Sequence, residues 1–430
     1  METPPQADGV LKIIIIELSP EDYSYEFFNE AMVAESRGSW AKQGAYTAAW
    51  KYLILVQIMK HINKHAPKNK SGDAKKIYTY LRDKHRDTER NPIAVLISYL
   101  KRIEAIKIGK YEAGFKATEL EKLYKLEEIN KLIPAIINLC KKLRIFVLID
   151  DLDLGWDASE DSKAFVAGLV QAALSISQYS HNLRVLVSLR RELFDNIPSL
   201  YTEAEKYRDE TEKLNWDASS LFKLITNRIR YRVPGLIKSD DTRCWNCVFH
   251  EFSKNGGLSL FDYIIDRTLY RPREIIQFCS KALEIAHDNQ SWPIDSSIIR
   301  EAEFEYSKER VDDISAEYRF QYPGLWSIFE VFRGSRYELH HDALINICLE
   351  TSCGELRVDK SAEWVIDIDP EKLVEILWKI GFLQAASFRG SDLSDISEKA
   401  YYGSHQIPHM NINNVESFQV HPMFRKYLNI

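Results

Sequence analysis

The sequence is poor in glycine and proline, with 17 and 14 among 430 residues, well below the roughly 12% the two reach together in average usage. Collagen-like and linker-like chains are excluded. Cysteine is scarce, six in all, which suits a reducing cytosol better than a disulfide scaffold. No apolar run approaches the ~18 residues of a membrane-crossing helix; IIIIEL at 13–18 and YLILVQIM at 52–59 are far shorter. The polar, proline-bearing start METPPQADGV has no signal-peptide core. Neither sign of charge dominates: 57 Lys and Arg against 63 Asp and Glu leave −6. That excludes nucleic-acid binding through bulk charge and leaves room for a local basic patch. What is present, 45% hydrophobic, 28% charged and 12% aromatic residues, can furnish real cores. At roughly 150 residues per domain the length predicts about three domains. The expectation is a soluble, cytoplasmic, multidomain protein with no membrane partner.

Three β-branched runs stand out among helical stretches: LKIIIIEL (11–18), LRIFVLIDD (143–151) and LRVLVSLR (183–190). None alternates strictly, so each reads as a strand of a parallel α/β sheet, buried on both faces. DSKAFVAGLVQAALSISQYS (161–180) has helical spacing and an acidic first turn, completing a β-α-β unit. A large helical insertion, about 40–143, separates the first two strands, and the polar stretch KNKSGDAKK (68–76) inside it reads as a solvated loop. Beyond the third strand the β signal stops. Asp217 stands in cap position for a helix over 217–229, VPGLIKSDD (233–241) reads as a boundary, and Pro272 sits near a helix start. From 313 onward three short helices precede GFLQAASF and SFQVHPMF, the order of a winged helix. The domains expected are 1–235, an α/β core with the insertion; 236–312, a helical lid; and 313–430, the winged helix.

The sharpest local signal is FVLIDDLD (146–153). Its carboxylates emerge at the carboxyl end of a strand, where open α/β sheets bind ligands. Asp150 suits a magnesium ion, a hard cation held by one or two carboxylates and substrate phosphates. Asp151 could orient or deprotonate a water. The plainer alternative is an acidic strand-to-loop turn. Arg190 and Arg191 close the third strand, where a guanidinium could reach a phosphate or simply form a surface salt bridge. Arg271 and Arg273 flank Pro272 at a helix start, where a cation opposes the helix dipole. Cys244-x-x-Cys247 with His250 has only half a zinc pattern, and buried free thiols are the simpler reading.

The order of these segments resembles the AAA+/STAND-related bacterial P-loop ATPases, the KAP-like and defence-associated proteins with a C-terminal winged helix. The resemblance implies an incomplete P-loop NTPase-like sheet, with FVLIDDLD as Walker B, Asp150 holding Mg2+ and Asp151 activating water. It implies Ser188 as the polar sensor after Walker B, Arg190 and Arg191 stabilising developing charge, and Arg271 and Arg273 contacting phosphate from the lid. ATP and Mg2+ are the implied cofactors, and a homo-oligomer or an effector protein the implied partner.

One departure outweighs the agreements. A phosphate loop needs G-x-x-x-x-G-K-[ST], whose backbone amides cradle phosphates while Lys reaches the β/γ oxygens, and no segment of the 430 residues matches it. The resemblance therefore implies a piece of a longer chain or a form that lost nucleotide binding, with weak ATP affinity. In that topology the phosphate-loop strand lies beside LRVLVSL, whose edge is expected to be unpaired. The rival expectation is a non-catalytic module binding protein or DNA through 313–430. HHDALINICLE, taken as recognition helix, lacks Arg and Lys and so favours protein over DNA.

Overall fold

The computed structural model describes residues 11–18, 39–65, 72–84, 126–152, 156, 159–195, 197, 208–250, 259–388, 399–407 and 410–430. The chain divides into two compact units, Met1–Glu212 and Lys213–Ile430. In the first, β1 (Lys12–Leu18), α1 (Ser39–His65), α2 (Gly72–Lys84), α3 (Leu126–Asn130), α4 (Ile133–Cys140), β2 (Leu143–Ile149), α5 (Glu160–Ser177), β3 (Leu183–Val187) and α6 (Arg191–Asp195) follow in order. The strands form a parallel sheet in the order β1-β2-β3, with Leu18 opposite Ile149 and Ile149 opposite Val187. The β-α-β reading thus holds for β2-α5-β3. Ser159 caps α5 by accepting the Ser162 N–H at 3.2 Å, and Glu160 and Asp161 complement the dipole of its first turn.

Inward-facing Ile14, Ile16, Leu18, Ile145, Val147, Ile149 and Leu183 join one core with α1 and α5. Phe165 of α5 meets Tyr46 and Trp50 of α1 with ring centroids 5.5 and 5.0 Å apart. Gly168 sets that helix crossing: a Cβ there would lie 2.7 Å from Tyr46 Cβ and 2.8 Å from the Thr47 nitrogen. The expectation of strands buried on both faces fails for β1 and β3. Ile13, Ile15 and Leu186 are 58, 56 and 51% exposed, because the described helices cover one face of the sheet. Residues 72–76 are another correction. Instead of a loop they form the first turns of α2, whose Ile77 and Leu81, four apart, anchor it in the core.

The expected open edge of β3 is partly closed. Ser188 N donates to Ile149 O at 2.8 Å, so residues 183, 185 and 187 turn their amides away from β2. Among the described residues no strand pairs there. Yet the Val185 N–H donates to Ser177 Oγ of α5 at 3.0 Å, and Arg184 Nη1 donates to the Ser177 carbonyl at 3.0 Å. The last turn of α5 thus covers the outer side of β3.

The second unit starts with a helical group: α7 (Ala218–Arg232), α8 (Asp241–Asn246), α9 (Leu260–Ile265), α10 (Pro272–Asp288) and α11 (Ser296–Glu317). Asp217 caps α7 by accepting the Ser220 N–H at 2.7 Å, and Pro272 occupies the first turn of α10, both as the sequence predicts. The turn 233–241 joins two helices of one core, in which Leu221 and Ile225 of α7 pack with Trp245 of α8. Next come α12 (Leu325–Glu330), β4 (Glu338–His340), α13 (His341–Ser352), α14 (Pro370–Lys379), β5 (Leu383–Phe388), β6 (Lys399–Tyr402), β7 (Ser417–Val420) and α15 (Pro422–Leu428). The small sheet is antiparallel, ordered β4-β7-β5-β6. Phe329 and Phe382 stack at 4.4 Å in its core. The helix directly before β5 is α14, whereas the sequence had pointed to 340–350 as recognition helix. α11 belongs to both cores: Ile298, Ile299, Ala302 and Tyr306 enter the first, Val311 and Ile314 the second.

Candidate functional site

The parallel strands deliver their carboxyl ends to one edge. Asp150 N donates to Leu18 O at 3.4 Å while Ile149 O accepts from Ser188 N. Asp150 therefore stands level with Ser188 on the neighbouring strand, at the strand separation of about 4.8 Å. Both side chains are exposed, and neither makes a hydrogen bond or ion pair with a described residue. Asp151 is half-buried and holds a left-handed backbone, φ 59°, a conformation that costs most residues energy and that Asp and Asn tolerate best. The turn it makes drops Leu152 into the core. Arg190 and Arg191 follow Ser188 on the exposed surface, Arg191 opening α6.

The structure thus brings Asp150, Asp151 and Ser188 together, with Arg190 and Arg191 two and three residues beyond Ser188. Arg271 and Arg273 belong to the second unit. There Arg271 pairs with Glu317 at 2.9 Å and lies 4.0 Å from Glu274. Glu274 accepts the Leu269 N–H at 2.5 Å, and burial raises its carboxyl above the ordinary range. Arg271 therefore ties the start of α10 to the end of α11. Arg273, two residues on, is exposed and has no partner among the described residues.

Among the described residues no three His, Cys, Asp or Glu side chains gather to hold a metal. Cys244 is buried and Cys247 exposed; Cys140, Cys279 and Cys348 are buried and Cys353 exposed. Buried thiols therefore account for four of the six. Sequence reasoning missed the network around Glu303, which accepts from Tyr263 Oη at 2.6 Å and pairs with Arg267. Its members lie 36 and 40 residues apart, and no local pattern announces them. Missed as well was a groove of about 420 Å3 lined by Ala218, Ser219, Phe222, Thr242, Trp245 and Phe261.

Comparison with known proteins bears on the second unit most directly. Residues 219–315 match a FunZ-associated C-terminal helical domain, which spans α7 to α11. Over 431 residues the chain is 22% identical to a putative transposon gamma-delta 80.3 kDa protein of Escherichia coli K12, covering 97% of this chain. The chain spans 58% of that relative's length. A stretch of 151 residues, 34% of this chain, is 28% identical to the allergen Alt a 2 of Alternaria alternata and covers 77% of it. No solved structure matches. No described helix is long and apolar enough to cross a membrane.

Proposed function

We propose that the first unit carries the Walker B and sensor side of a nucleotide-dependent switch, and that the second unit relays its state to a partner. The observation that carries this reading is the pairing of Asp150 and Ser188 at one level of adjacent parallel strands, both exposed and both unengaged among the described residues. A carboxylate with unused oxygen lone pairs beside a hydroxyl fits a magnesium ion, which prefers oxygen ligands. Asp150 would hold it, and the ion would offset phosphate charge. Asp151, fixed by its left-handed turn, would orient water, with Arg190 and Arg191 next in line for developing negative charge. Arg271 is committed to Glu317, so Arg273 is the lid arginine better able to meet an anion. The strand order β1-β2-β3 is compatible with the reading, although a phosphate-loop strand joining β3 would have to displace the contact between the Val185 N–H and Ser177. Without that loop, affinity is weak and turnover absent.

The second unit supports the relay. Its order α12-β4-α13-α14-β5, with β7 between β4 and β5, is that of a winged helix with an added strand. Lys372 and Lys379 of α14 both pair with Glu375, at 2.6 and 2.5 Å. Its cations are thus spent locally, which favours a protein effector over DNA at this helix and keeps a non-catalytic binding module as the second reading. The likeness to a transposon-named relative supports a setting in mobile DNA.

Calorimetric titration of Mg-ATP tests the proposal. Weak, magnesium-dependent binding is expected, lost in Asp150→Ala and retained in Asp151→Asn, whose Asn also tolerates the left-handed turn. Low-micromolar affinity that survives Asp150→Ala would place the nucleotide elsewhere and overturn the assignment.

A further inference from the structure

The groove of about 420 Å3 in the helical group falls in the size range of built ligand sites, roughly 300–1,000 Å3. Its walls come from three helices. α7 brings Ser219 and Phe222, three apart and so on one flank. α8 brings Thr242, Trp245 and Asn246, at the spacing of a single helix face. Phe261 of α9 completes the floor. The three rings meet as a corner: centroids lie 5.6 Å apart for Phe222 and Trp245, 4.9 Å for Phe222 and Phe261, and 5.6 Å for Trp245 and Phe261. Trp245 and Phe261 are buried and Phe222 only half-buried, so Phe222 is the ring open to a guest. Trp245 adds a second signal. Its Nε1 is buried without a hydrogen-bond acceptor, a state that folded proteins normally avoid.

The rim is polar and uncharged. Ser219, Thr242 and Asn246 are exposed, and none of their side chains bonds to a described residue. The charges around the groove are committed or balanced. Asp217 accepts the Ser220 N–H, and Asp240 that of Arg243. Asp241 pairs with Arg230, and Asp262 accepts the Ser259 hydroxyl. Lys223 is within electrostatic reach of both Asp217 and Asp241. Nothing in the lining calls for a phosphate, a carboxylate or an ammonium group.

A neutral guest is therefore the complementary one. Hydroxyl and amide groups that both donate and accept, set around an aromatic corner, match the amide groups and apolar side chain of a peptide. A further aromatic ring can join such a corner edge-to-face. The apolar surface also runs on beyond the groove: Leu214 and Trp216, just before α7, are 86 and 41% exposed. A single small ring would leave that extension uncovered, whereas a peptide is long enough to use it. We propose that this groove receives an uncharged peptide segment of a partner, with an aromatic side chain against Phe222 and backbone amides on Ser219, Thr242 and Asn246. The site is separate from the sheet edge of the first unit, and neither assignment depends on the other.

The test follows the indole N–H signals of the full chain by NMR, with that of Trp245 assigned through Trp245→Phe. Acetyl-Ala-Phe-Ala-amide should shift the Trp245 signal saturably in the millimolar range. Acetyl-Ala-Ala-Ala-amide, which lacks the ring, and toluene, which lacks the amides, should each bind at least about tenfold more weakly. Thr242→Ala/Asn246→Ala, at two exposed positions, should weaken the peptide about tenfold through lost hydrogen bonds. Ser219→Phe, which fills the groove from an exposed position, should abolish the shift and leave circular dichroism unchanged. Lys223→Ala should change binding little. The proposal is overturned if no saturable shift appears by about 20 mM peptide, well above a millimolar dissociation constant, or if Ser219→Phe binds as wild type does. Toluene binding as tightly as the peptide would make the groove a site for small apolar molecules and overturn it too. So would tighter binding of acetyl-Lys-Phe-Lys-amide or acetyl-Glu-Phe-Glu-amide, which would show recognition of charge.

Discussion

At the carboxyl edge of the parallel sheet, Asp150 and Ser188 stand exposed with no described partner. In the second unit Glu303 is buried, takes a hydrogen bond from Tyr263 and pairs with Arg267, while Arg271 is locked to Glu317. Both regions present carboxylates, yet Glu303 and Glu317 spend theirs on partners within the fold, whereas the exposed Asp150 at the sheet edge does not. Polar groups whose partners lie within the fold stabilise it; those left open at a strand end contribute almost nothing to stability and are available to a ligand. Arg271 shows that residue type alone does not fix what a side chain does, since the guanidinium that opens α10 is already paired with Glu317.

That contrast can be broken or sharpened by mutation. The largest effect is expected for Glu303→Ala, which leaves the Arg267 guanidinium in a mostly buried site without its carboxylate and should destabilise the second unit by about 3–5 kcal/mol. Denaturant unfolding measures it, and a loss under about 1 kcal/mol would show the network to be dispensable.

Next comes a pH effect at His421, which caps α15 by accepting the Met423 N–H at Nδ1, 3.2 Å away. Burial foremost, then the nearby His405, Arg425 and Arg267, hold its imidazole well below the ordinary histidine range. The unfolded chain, with a value of about 6.5, therefore takes up the proton first as pH falls. The stability His421 contributes is whole above about 6.5 and is lost below it, by up to about 1.4 kcal/mol per pH unit until the folded value is reached. Glu274 acts in the opposite sense: its raised carboxyl gives stability present at low pH and lost as pH rises through its folded value. The readout is therefore the difference between wild type and His421→Asn, which keeps a cap acceptor without titrating. Protection factors over 417–430, corrected for the intrinsic pH dependence of exchange, should fall between pH 7.5 and 5.5 in wild type more than in the variant.

Ser177→Ala is a smaller perturbation. It removes the acceptor for the Val185 N–H and should cost about 1 kcal/mol, with faster exchange at Val185. Unchanged exchange there would mean that the last turn of α5 does not protect the edge. The smallest stability change is expected for Asp150→Ala, within about 0.5 kcal/mol of wild type, together with loss of magnesium-dependent nucleotide binding. A large destabilisation would assign Asp150 to the scaffold.

Much of the fold was legible where the signal is local. The β-branched runs mark all three parallel strands, and Asp217 and Pro272 mark helix starts because capping chemistry acts within three residues. The polar look of 68–76 hid the start of α2, since the apolar anchors Ile77 and Leu81 come only later in that helix. β7 inserts between β4 and β5 from a distance of more than thirty residues, a pairing without any local cue. At the candidate site, the sequence pointed to Asp150 and Ser188, but the left-handed turn at Asp151 and the commitment of Arg271 depend on partners elsewhere.

α11 runs for 22 residues, about 33 Å at a rise of 1.5 Å per residue. It shares Tyr306 with the helical core, where the ring stacks on Phe278 at 4.3 Å, and Ile314 with the core of the small sheet. Midway, Ser307 Oγ accepts the Tyr427 N–H of α15 at 3.1 Å. Such a helix behaves as a beam seated in two bearings: a tilt of about 5° at its Asp295 end carries the Glu317 end through about 3 Å over that length. A displacement of the helical group would therefore reach the small sheet as translation, because the two cores share this helix.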